Sequence, residues 1–219
     1  MKKIKYYVFL LVIAFIFNSC NYAENAQSIP MDSISKYYDY FENNYYISLL
    51  MNNQNEGEDF SEEQMIAFAI SHYSSTNEDY DMQNGVPINS IDDIVRQYFN
   101  KEVSNYENNL TVLLDNGNVA SRGFSPYPYS YILKEITKNK DGSKKAIFYA
   151  VDKTIMENMT EKEYKEKLFA GDFRDFGTVE LVEFQFVEKI DVDGDYYLQF
   201  LSSQMLGQET GQRDVFHIV

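Results

Sequence analysis

The chain changes hydrophobic period partway along, and that change restricts its fold more than any other feature. Up to Tyr98 the apolar residues recur at helical spacing, and from Thr111 onward they alternate as strand residues do. Ile34, Tyr38, Phe41, Tyr45 and Leu49 fall at steps of four, three, four and four, which places them on one face of a first helix. Asn52 to Asp59, with Gly57, ends it. Ser61 opens a second helix with a capping box to Gln64, and Phe60 is placed to staple onto Met65. The inner stripe of that helix is Met65, Phe68, Ala69 and His72. Ile66, Ile70 and Tyr73 widen it, as in a helix covered on more than one side. A polar loop from Ser74 to Gly85 leads to Val86-Pro87-Ile88, which reads as extended because proline biases its predecessor away from helix. Ser90 with Asp93 then opens a third helix along Ile91, Ile94, Val95 and Tyr98.

The second half is punctuated by hairpin turns. Thr111 to Leu114 and Val119 flank Asp115-Asn116-Gly117-Asn118, and Asn-Gly is the strongest short hairpin signal. Ser130 to Thr137 pairs with Lys144 to Val151 around Asn139-Lys140-Asp141-Gly142. In the latter strand Ile147, Tyr149 and Val151 alternate with Ala146, Phe148 and Ala150, so both faces are apolar and the strand should be buried on two sides. Thr160 with Glu163 caps a short helix through Tyr164 and Leu168, stopped by Gly171. Thr178 to Ile190 and Tyr196 to Ser203 make the longest hairpin, with a slip in the alternation between Leu181 and Val182 that suits a bulge. Asp214 to Val219 reads as a closing strand.

Helices first and antiparallel strands afterwards specify an α+β domain: about three N-terminal helices on one face of a curved antiparallel sheet, plus the short helix near 160–170. That order resembles the NTF2-like fold, whose helices close one side of a cone-shaped sheet. The resemblance implies a pocket between the layers.

Ahead of the domain, Lys2, Lys3 and Lys5 precede an uncharged run from Tyr6 to Phe17 and then Asn18-Ser19-Cys20. A basic start, a short apolar core and small residues at the cut form an export signal. The run is shorter than the roughly 20 residues needed to span a bilayer as a helix. Its ending resembles a bacterial lipoprotein signal, which implies cleavage before Cys20 and acyl chains on that residue. Cys20 is the only cysteine, so the exported part forms no internal disulfide. The expected organisation is a signal peptide at 1–19, a lipidated cysteine and polar tether at 20–33, and one domain at 34–219.

The formal charge is −15, and removing the three leader lysines leaves 34 acids against 16 bases, or −18. Such a surface repels phosphate backbones, which argues against a nucleic-acid partner. It is also repelled by anionic membranes, so an acyl anchor would be needed to hold the protein there.

Few residues suggest chemistry. His72 and His217 are the only histidines; with the anchored Cys20 they are too few for a histidine or cysteine metal site, and they lack ligand spacing. His72 on an inner stripe reads either as a general base facing a pocket or as a core-edge histidine with one hydrogen bond. Asp191-Val192-Asp193-Gly194-Asp195 alternates oxygen donors, but its glycine is fourth, and Ser202 stands where a calcium loop needs glutamate, so it reads as a turn. No phosphate loop, nucleophile elbow or dinucleotide fingerprint occurs, and no cofactor is expected. The unusual stretch is Phe124-Ser125-Pro126-Tyr127-Pro128-Tyr129-Ser130-Tyr131. Two prolines keep it extended, so Tyr127, Tyr129 and Tyr131 form either a recognition surface or the cover of an edge strand. The expected function is a lipid-anchored envelope protein whose domain binds an unknown ligand or partner without catalysis. The alternatives are an exported enzyme using His72 with a carboxylate, and a purely structural envelope protein.

Overall fold

The computed structural model describes residues 27–28, 35–43, 47–51, 59–123 and 129–210. A two-residue strand β1 (Gln27–Ser28) comes first, followed by helices α1 (Ser35–Asn43), α2 (Ser48–Met51) and α3 (Glu62–Thr76). Strand β2 (Val86–Pro87) runs directly into α4 (Ile88–Phe99), and β3 (Thr111–Leu113) and β4 (Asn118–Ser121) form a hairpin. Strands β5 (Tyr129–Lys138) and β6 (Lys144–Asp152) come next. Short helices α5 (Lys153–Met156) and α6 (Glu161–Phe169) separate them from β7 (Thr178–Ile190) and β8 (Tyr196–Thr210).

The α+β class holds, but the strands make two sheets where one was expected. β5 to β8 form an antiparallel meander with β1 outside β5, and β2, β4 and β3 form a separate three-stranded sheet. The Asn-Gly hairpin forms where expected, with Gly117 at φ 80 and its N–H bonded to the Leu114 carbonyl. Its partner is β2, through Val86 opposite Val119, and both valines are fully buried. The small sheet packs against α3 and therefore belongs to the helical layer.

Local signals mark three helix starts and misplace one. Ser61 accepts the Gln64 N–H while the Gln64 side chain accepts the Ser61 N–H, so the capping box is complete. Thr160 caps α6 through the Glu163 N–H. Asp152 likewise caps α5 through the Thr154 N–H, a start the sequence reading had not marked. The third long helix starts at Ile88, before the expected Ser90, and Ile88 is helical although it reads as extended. Pro87 at φ −58 already sets the helical entry, and no side-chain cap is used. The first expected stripe is divided between α1 and α2, and its members Ile34 and Tyr45 lie outside the described residues. On α1 the deeply buried ring is Tyr37, at 1% exposure, whereas Tyr38 is half-buried. Gln27 and Ser28, which read as tether, pair with Lys138 and Thr137. Strand β8 runs to Thr210, beyond the expected end at Ser203, and 214–219 lie outside the described residues.

Helices were expected on one face of the sheet, and they occupy both. On the first face α1 to α4 cover a core containing Phe68, Phe148, Phe184, Phe186 and Phe200, each at most 1% exposed. On the second, α6 seats Leu168 in a smaller cluster with Ile132, Tyr149, Val151, Phe176 and Val179. The two-sided burial of β6 follows: Ala146, Phe148 and Ala150 enter the first core, and Tyr149 and Val151 the second. The expected bulge is present between Leu181 and Val182, with another shift between Gln185 and Phe186.

Candidate functional site

A cleft of about 280 Å³ lies where the start of β5 meets helices from both faces of the sheet. Tyr129 and Tyr131, two residues apart on one face of β5, line it. Tyr38 and Phe41 of α1 and Met51 of α2 wall it from the first face. Met156 of α5 and Tyr164 of α6 wall it from the other side. The Tyr38 hydroxyl donates to the Leu133 carbonyl at 2.9 Å, which pins α1 beside the strand. Lys153 and Lys165 bring the only charges among the described lining residues. Lys153 is exposed, and Lys165 pairs with Glu161 at 2.6 Å.

Of the tyrosines singled out in the sequence, Tyr129 and Tyr131 are therefore together and half-buried, packed against the first core. Tyr127 lies outside the described residues, as do Cys20 and His217. His72 is elsewhere, on α3: its ring is 4.8 Å from that of Tyr98 and parallel to Phe68 at 6.0 Å. Burial pulls its pKa down to about 4, so the imidazole is neutral at neutral pH. The cleft is lined without it.

The Asp191–Asp195 segment is a hairpin turn. The Asp191 carboxylate accepts the N–H groups of Asp193 and Asp195, and Gly194 takes φ 91. No group of three or more histidine, cysteine or acidic side chains among the described residues is arranged to hold a metal.

A second cluster was missed in the sequence. The Glu188 carboxylate on β7 accepts from Lys36 and Tyr37 of α1, Lys144 of β6 and Tyr196 of β8. Lys144, only 8% exposed, also donates to the Tyr37 hydroxyl at 2.7 Å. Burial opposes ionisation of Glu188, but the hydrogen bonds from Lys144, Lys36, Tyr196 and Tyr37 outweigh it and hold the carboxyl down at about 2. Burial, then the bond to Glu188, pushes the Tyr37 hydroxyl up to about 12, and the same causes raise Tyr196. Glu188 is thus held ionised and the two tyrosines protonated near neutral pH, and the hydrogen bonds among them clasp α1 to the sheet. Its one signal in the sequence is the pair Lys144-Lys145 at the start of a strand whose middle, Ala146 to Val151, is apolar.

No family model matches the chain, and neither a curated protein nor a solved structure does.

Proposed function

We propose that the chain is a lipid-anchored protein of the bacterial cell envelope whose α+β domain binds a ligand or partner without catalysing a reaction. The observation that carries the binding half is the cleft walled by Tyr38, Tyr129, Tyr131 and Tyr164. Tyrosine gives a broad apolar face and a hydroxyl with few rotors to immobilise. The anchor half is supported by the basic start, short apolar run and Cys20. Among the described residues no helix is long and apolar enough to cross a membrane. Helices that precede and cover one face of an antiparallel meander support an NTF2-like arrangement. The placement of His72 between rings supports a packing role over that of a general base.

Cys20→Ala should block processing and move the protein out of the membrane fraction, and mass analysis of the mature N-terminal peptide should show acyl chains on Cys20. An unmodified cysteine, or a terminus elsewhere, ends the anchor reading. Within the domain, Tyr129→Ala with Tyr131→Ala should weaken binding by about 2 kcal/mol while the protein stays folded. Unchanged binding by the folded double variant removes the cleft from consideration.

A further inference from the structure

The walls of the cleft are mostly rings, thioethers and aliphatic side chains, with Ser48 and Ser130 among them, a lining that by itself suits flat apolar groups and organic cations alike. Its charges separate the two. In a chain with 34 acidic and 19 basic residues, the described lining holds Lys153 and Lys165 and no carboxylate. Glu161 takes up Lys165. Asp152, the acidic neighbour of Lys153, spends its Oδ1 on the N–H and hydroxyl of Thr154. Lys153 therefore presents its charge at the cleft with no ion-pair partner among the described residues. The volume, about 280 Å³, is at the lower end for small-molecule sites and equals about nine waters' share of liquid. It is too small for a folded partner and admits one ring with a short arm.

We infer that the cleft takes a small amphiphilic anion, an apolar body seated against Tyr38, Phe41 and Tyr131 with a single carboxylate directed at Lys153. This rests on the binding reading above and adds the ligand's chemical class. The rings remove the apolar body from water, and the lysine supplies a charge-assisted hydrogen bond at the rim. An organic cation of the same shape would meet the Lys153 ammonium group there instead.

The test uses the intact lipidated protein in nanodiscs of zwitterionic lipid, with empty nanodiscs as control, and three probes that share one body: phenylpropionate, phenylpropanol and phenylpropylammonium. Equilibrium dialysis should place phenylpropionate about tenfold tighter than phenylpropylammonium, with phenylpropanol between. Lys153→Glu, at an exposed position, should weaken phenylpropionate about tenfold, leave phenylpropanol nearly unchanged and leave the melting curve in place. Equal binding of the three probes, or indifference of phenylpropionate to Lys153→Glu, overturns the anion and leaves the cleft as a site. Absence of binding by all three at millimolar concentration overturns the inference together with the cleft's small-ligand reading.

Discussion

The two faces of the main sheet are covered by different kinds of structure. On the first, rings from distant segments interlock: Phe68 meets Phe99 at 5.2 Å and Phe200 at 5.4 Å, and Phe200 meets Phe184 at 5.0 Å, at tilted or edge-on angles. Helix α1 is fastened to that side by the Glu188 cluster and by the Tyr40 hydroxyl, which accepts the Leu198 N–H at 3.2 Å. On the second face the cover comes from the excursion between β6 and β7, whose helices α5 and α6 have four and nine residues and bury only Leu168 completely. A cover assembled from one local stretch can open without disturbing the rest, whereas one assembled from the whole chain is lost only when the molecule unfolds. The cleft lies on the seam between them, so its Tyr164 and Met156 wall belongs to the cover that opens more easily.

The sharpest difference should come from paired core truncations. Phe184→Ala should lower global stability by about 3–5 kcal/mol and shift the whole unfolding transition. Leu168→Ala should cost less, about 2–3 kcal/mol, with faster hydrogen exchange concentrated in α6. Equal loss of protection in β7 and β8 after Leu168→Ala would show that the two covers unfold as one.

Acid should act on the first face in two stages. His72 is held neutral there with its pKa at about 4, below the ordinary 6.5, so the unfolded chain takes up the proton first. Stability contributed by His72 is complete above pH 6.5 and declines as pH falls toward 4, by on the order of 3 kcal/mol. Glu188, depressed from 4.5 to about 2, then withdraws its contribution as pH falls through that lower range. Urea midpoints measured against pH should show the upper stage flattened in His72→Gln. An unchanged slope in that variant would place the acid response elsewhere.

The smallest effect concerns Ser203, whose buried hydroxyl opposite Phe184 has no hydrogen-bond partner among the described residues. Ser203→Ala should be neutral or raise stability by up to about 1 kcal/mol, because an unsatisfied buried hydroxyl is disfavoured. A loss of more than that would mean the hydroxyl has a partner.

What the sequence determined alone are features closed within a few residues. Ser61 finds Gln64 three positions away, Thr160 finds the Glu163 N–H, and the turns at Gly117, Gly142 and Gly194 need only their own backbone. The apolar alternation of β6 on both sides foretold its burial between two layers, and the slip at Leu181 foretold the bulge. Tertiary structure alone decided that β2 takes β4 into a separate sheet and that α6 lands on the opposite face. It also turned Tyr37 inward ahead of Tyr38, set Lys144 beside Glu188 across 44 positions, and joined Tyr38 to Leu133 across 95. Periodicity counts tyrosine as apolar and lysine as exposed, and it carries no record of a partner that far along the chain. A buried lysine is tolerable only once its carboxylate arrives, and that arrival is a property of the packed molecule.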